Sequence, residues 1–119
     1  MPQAQVTMNV RPVDATTRII DIHGDMSAFA EDVLMAAYAE ANTPGVHAFI
    51  MNFTGLDYMN SSGIGLLVTL LIRINRNKQR LLAYGLSDHY KHIFELTRLN
   101  EAIGIYDTES QALAAAHAA

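Results

Sequence analysis

The feature that most limits how this chain can fold is a change of period in its apolar residues between positions 46 and 85. Residues 46–53 form a short apolar run bounded by turn formers, as in a strand buried on both faces. Residues 63–77 repeat instead at helical spacing, with Ile64, Leu67, Val68, Leu71 and Ile74 on one face as its core candidates. Residues 81–85 return to a short apolar run. Strand, helix and strand in that order call for a parallel pair joined by a crossover, and so for an α/β fold.

The flanking segments extend this alternation. Val6, Met8 and Val10 alternate with polar neighbours over residues 6–13, which predicts a strand with Pro12 near its margin. Asp14-Ala15-Thr16 turns the chain into a second strand over 17–23, ended by Gly24-Asp25, so the chain opens with an antiparallel hairpin. Ser27 is placed to cap a helix over 28–41, and Asn42-Thr43-Pro44-Gly45 stops it. After the central unit, Ser87 caps a helix over 88–96, residues 103–106 form a last strand, and Thr108 caps a helix over 109–117. The expected architecture is one domain over 1–119. It is a mixed sheet, mostly parallel with an N-terminal antiparallel hairpin, packed with about four helices.

Composition excludes several functions. The 119 residues suffice for one ordinary core, and no apolar run approaches the ~18 residues of a membrane span. With no cysteine there is no disulfide or thiolate chemistry. Together with the lack of a basic-then-apolar leader, this gives a cytoplasmic expectation. A net charge of -4 argues against a nucleic-acid footprint. The basic group Arg73, Arg76, Lys78 and Arg80 lies around a predicted helix end, where cations complement the helix dipole. There is no P-loop, no G-x-S-x-G elbow and no G-x-G-x-x-G fingerprint, so no catalytic residue and no cofactor are assigned. His89 and His92 share a helix face without further ligands and read as a surface pair rather than a metal site.

The chemistry gathers at Asn60-Ser61-Ser62-Gly63-Ile64-Gly65, where a strand hands over to a helix. A helix start exposes unpaired N–H groups and the positive end of the dipole. A serine there caps the helix, contacts an anion, or carries a phosphate itself. Leu66 and Leu70 lie off the Ile64–Leu71 face. They form either the edge of a wide apolar stripe or a docking surface beside the serines.

Residues 53–113 also resemble a known family. Asn60-Ser61-Ser62-Gly63-Ile64-Gly65-Leu66-Leu67 is similar to the D-S-S-G-L-G-x-L motif of STAS domains, found in sulfate transporters and bacterial anti-sigma factor antagonists. Gly85-Leu86-Ser87, Glu95-Leu96-Thr97-Arg98-Leu99 and Ile105-Tyr106-Asp107 with Ala112-Leu113 match further pieces in order. Gly24-Asp25-Met26-Ser27 sits where the family has G-E-L-D. Asn60 stands in place of the family's aspartate, and Arg98 in place of a glycine suited to a left-handed turn.

The resemblance implies a binding switch rather than an enzyme. In stand-alone members the unphosphorylated protein binds an anti-sigma factor that is also a serine kinase, phosphorylation ends binding, and a serine phosphatase resets it. The acceptor would be Ser62, directly before the motif's first glycine. Asn60, Ser61, Gly63, Leu66 and Leu70 would form the partner contact, joined by Asp25 and Ser27. The alternative is an unphosphorylated STAS scaffold or ligand-binding subunit, for example of a lipid or anion transport system. The acidic surface with an apolar patch permits a weak homodimer.

Overall fold

The computed structural model describes residues 5–118. Strand β1 (Val6–Pro12) pairs antiparallel with β2 (Thr17–Met26). Then follow α1 (Glu31–Ala41), β3 (Ala48–Met59), α2 (Ser61–Arg76), β4 (Arg80–Tyr84), α3 (Asp88–Leu96), β5 (Gly104–Tyr106) and α4 (Glu109–Ala116). The sheet order is β1-β2-β3-β4-β5, and every pair after the first is parallel. The mixed sheet and the alternation expected from the sequence are therefore present.

The strand order never reverses, and the three crossover helices all pack on one face. Parallel crossovers of one hand, taken in one direction across a sheet, lead to that arrangement. Side-chain alternation serves both layers. Phe49, Met51 and Phe53 of β3 join Ile20 and Ile22 of β2 beneath Leu34 of α1, Leu67 and Leu70 of α2 and Phe94 of α3. Ile50, with Ile19 and Leu82, faces the other way into a smaller cluster closed by Ala112 of α4, with Leu113 packed against it.

The largest departures from the expected boundaries are the ends of β2 and β3, and both matter to the site. β2 continues past Gly24 to Met26, and β3 past Phe53 to Met59, with Met26 paired to Met59. Register shifts between Asp21 and His23 and between Gly24 and Asp25 let the ladder continue through irregular residues. Gly24 adopts φ 101°, and a Cβ there would run into the Gln5 carbonyl. Beyond Phe53 the strand carries Thr54 and Asp57 exposed to solvent, so the apolar signal ends before the strand does. The first helix also begins differently: Ser27 caps a 3-10 turn, Ala28–Ala30, that leads into α1.

Candidate phosphoacceptor site

The paired ends of β2 and β3 fix where α2 begins. The Met59 N–H donates to the buried Tyr90 hydroxyl on α3 (2.8 Å), which anchors the end of β3. The Asn60 N–H then donates to the Met26 carbonyl (3.2 Å). Asn60 is extended, at φ -99° and ψ -177°, and its Oδ1 accepts the Gly63 N–H (3.0 Å) while its carbonyl accepts the Ile64 N–H (3.0 Å). Asn60 is thus the helix cap, satisfying one of the donors that a helix start leaves open. At Gly63 a Cβ would run into the Met26 carbonyl oxygen, so only glycine lets α2 rest on the end of β2.

Because Asn60 does the capping, the serines are free. Ser61 and Ser62 are the first two residues of α2 and both are exposed. Neither hydroxyl has a hydrogen-bond partner among the described residues, and their N–H groups have none within the helix. The Ser62 hydroxyl therefore stands in solvent at the positive end of a helix of 16 residues.

The other expected contact residues divide. The structure brings Asp25 and Ser27 to the serine stretch, since they flank Met26, the residue against which Asn60 and Gly63 sit. Asp25 is half-buried and pairs in register with Tyr58; the Ser27 Oγ accepts the Phe29 N–H (3.3 Å). Leu66 and Leu70 are not a docking surface: they are 9% and 0% exposed and belong to the core. The buried face of α2 is Gly63, Leu66, Leu67, Leu70, Leu71 and Ile74, while Val68 and Ile72 point outward at 37% and 47% exposure. The phase error has a physical source. Gly63 is a contact residue, but a glycine adds nothing to an apolar period, so Ile64 and Val68 drew the face toward themselves. Exposed apolar side chains around the serines are Tyr58, two residues before Asn60, and Phe29, on the turn packed against α2.

Sequence reasoning missed a polar network on the opposite sheet face. Arg11 donates from Nε and a terminal nitrogen to the two oxygens of Asp21 (2.6 and 2.8 Å), and from the same terminal nitrogen to Glu109 (2.8 Å). Asn52 donates to Asp21 (2.7 Å) and the Tyr84 hydroxyl to Glu109 (2.8 Å). Burial alone would raise the Asp21 pKa, but the Arg11 guanidinium and Asn52 outweigh it and hold the carboxyl below its ordinary value. Arg11, then Tyr84, lower Glu109, while burial and Glu109 push the Tyr84 hydroxyl up to about 12. The register row Asn9–Asp21–Asn52–Tyr84 places these groups side by side, yet no periodicity announces it. Among the described residues no group of three or more His, Cys, Asp or Glu side chains is arranged to hold a metal ion.

The family model for the STAS domain matches residues 3–112. The chain belongs to the STAS family. Among STAS relatives, the anti-sigma-B factor antagonist of Staphylococcus aureus is 26% identical over 86 residues, spanning 72% of this chain and 80% of that protein. Among solved structures, the anti-sigma factor antagonist SpoIIAA in its unphosphorylated form has a TM-score of 0.71 at 22% identity, covering 92% of this chain and 96% of its own. A sulfate transporter family protein from Wolinella succinogenes has a TM-score of 0.76 at 21% identity, covering 89% and 88%. At these identities the structures show a shared STAS fold. Among the described residues no helix is long and apolar enough to cross a membrane.

Proposed function

We propose that this STAS protein is an anti-sigma factor antagonist, a regulatory binding protein switched by phosphorylation of Ser62. The observation that carries the reading is the division of labour at the start of α2. Asn60 caps the helix, Gly63 holds it to β2, and Ser62 is left exposed with a free hydroxyl. The S. aureus relative's name supports it. Unmodified, the chain binds an anti-sigma factor that is also a serine kinase. The kinase transfers the γ-phosphoryl group of ATP to the Ser62 Oγ, which gives up its proton as ADP leaves. The phosphoserine gains roughly 1.5–2 negative charges at a helix start whose dipole and free N–H groups accept them. The fold survives while a close-packed partner is repelled, and a serine phosphatase restores the hydroxyl.

The test is to incubate the chain with ATP and each purified histidine-kinase-like serine kinase of its genome, then map the product by mass spectrometry. Phosphate on Ser62 is the expected result, and none with any kinase sinks the mechanism. Ser62→Asp should lose partner binding with its thermal midpoint within about 4 °C of the parent's, a shift of ~1 kcal/mol or less. A second reading is an unphosphorylated scaffold or ligand-binding subunit of a transport system. It draws on the neutral Asn60 beside the serines and on the sulfate transporter family neighbour. Absence of phosphate from Ser62 would favour it.

A further inference from the structure

Gly65 has no explanation within the fold. It lies inside α2, is exposed, has no positive φ, and a Cβ added there would meet nothing within 4 Å. Glycine is the poorest helix former after proline, so an alanine would serve the isolated chain better. Gly63, two residues earlier, is bare because another backbone approaches it. The same reason applies to Gly65 only if the approaching group comes from another molecule.

The surroundings say what that molecule is like. Ser61, Gly65, Val68 and Ile72 follow one another at helical spacing as a ridge on the outer face of α2, and all are exposed. The Thr69 hydroxyl donates to the Gly65 carbonyl (3.1 Å), so covering that turn strands no polar group. Beside the ridge stand Arg73 and Arg76, exposed and without a carboxylate partner among the described residues. Lys78 follows them. No Asp or Glu occurs from Tyr58 to Ser87, although the chain has 12 of them and a net charge of -4. An apolar ridge flanked by cations on an acidic protein complements an acidic partner surface with an apolar centre.

We propose that this ridge seats an acidic element of the anti-sigma factor kinase, packed on bare backbone at Gly65, with its carboxylates facing Arg73 and Arg76. The inference rests on the proposed function and adds how phosphate ends binding. Arg73 lies 11 residues beyond Ser62, about 16 Å along the helix axis, too far to neutralise a phosphate there. The arginines therefore remain available to the partner, and phosphoserine acts instead on the part of the partner packed over the start of α2, where it adds bulk and negative charge.

The experiment measures affinity of the full-length parent, Gly65→Gln and Arg73→Glu/Arg76→Glu for each purified histidine-kinase-like serine kinase of the same genome, at low and high salt. Both variants should bind about tenfold or more weakly, and added salt should weaken the parent more than the double variant. Gly65→Gln should melt at or above the parent's temperature, which separates lost contact from lost fold. If a kinase that binds the parent binds both variants equally well, the ridge is not its seat; this inference falls while the proposed function stands. If Gly65→Gln leaves kinase binding intact but abolishes a homodimer seen by sedimentation, the ridge serves a second copy and the inference is equally overturned. If the parent binds no kinase, both readings fall together.

Discussion

Gly63 holds the site in place by having no side chain. Its Cα lies over the Met26 carbonyl, which also accepts the Asn60 N–H, so one peptide group of β2 fixes both the cap and the first turn of α2. Gly63→Ala would drive a methyl group into backbone, which cannot swing aside as a flexible side chain does. The expected cost is about 2 kcal/mol, within the usual range for overpacking, read as a lower midpoint in denaturant. Ser62→Ala, an exposed change, should stay within about 0.5 kcal/mol of the parent. Equal stability of Gly63→Ala and the parent would mean that α2 is not seated on β2 as described. Much of this was legible in the sequence, because Asn60, Ser61, Ser62 and Gly63 are residue types with distinct backbone roles. Leu66 and Leu70 were not, because their burial depends on a phase that Gly63 sets silently.

Secondary-structure elements were legible where local chemistry states them. Ser87 and Thr108 accept the N–H groups of Tyr90 and Gln111 and cap their helices as their residue type suggests. The far ends of β2 and β3 were hidden because pairing there is a long-range property of polar residues. The turn after α3 lies between these cases. Arg98 adopts φ 61° and ψ 17°, the left-handed conformation for which the family pattern has glycine. The arginine bears the strain of that conformation. The Thr97 N–H and hydroxyl both donate to the Ile93 carbonyl (3.0 and 2.8 Å), and the Arg98 N–H donates to Glu95 (3.1 Å). None of these bonds uses the Arg98 side chain. Arg98→Gly should therefore stabilise the protein by ~0.5–1 kcal/mol, raising the thermal midpoint by about 2–4 °C. A lower midpoint would show that the arginine side chain makes a contribution larger than the strain.

At the scale of the whole molecule, α4 is the cover of the second sheet face, and polar contacts hold it at both ends. Glu109 at its start meets Arg11 and Tyr84, and His117 just past its end meets Asp14 (2.7 Å). Arg11 and Glu109 are 98 positions apart, a pairing that periodicity and local propensity do not encode. The network makes stability depend on pH in a defined direction. Asp14, Asp21 and Glu109 are all held below their ordinary values of 3.8, 3.8 and 4.5, Asp14 at about 2 through the Thr16 N–H and His117. Depressed carboxyl groups stabilise the fold above their ordinary values, and that stability is lost as pH falls through the folded ones. Tyr84, raised from 10.0 to about 12, stabilises below its ordinary value and ceases to as pH rises between the two. These groups should accordingly make stability fall below about pH 4 and above about pH 10. Arg11→Met removes the main cation facing both Asp21 and Glu109 and leaves the Asp21 carboxylate buried beside Asn52 and Asn9. At pH 7 it should cost about 2–3 kcal/mol. The deficit should shrink as the pH drops below about 4, because a protonated Asp21 no longer needs the guanidinium. Denaturant titrations of parent and variant across that range test the account. A deficit that stays constant with pH would mean that Arg11 acts through packing of its stem, and that the charge network does not hold α4 to the sheet.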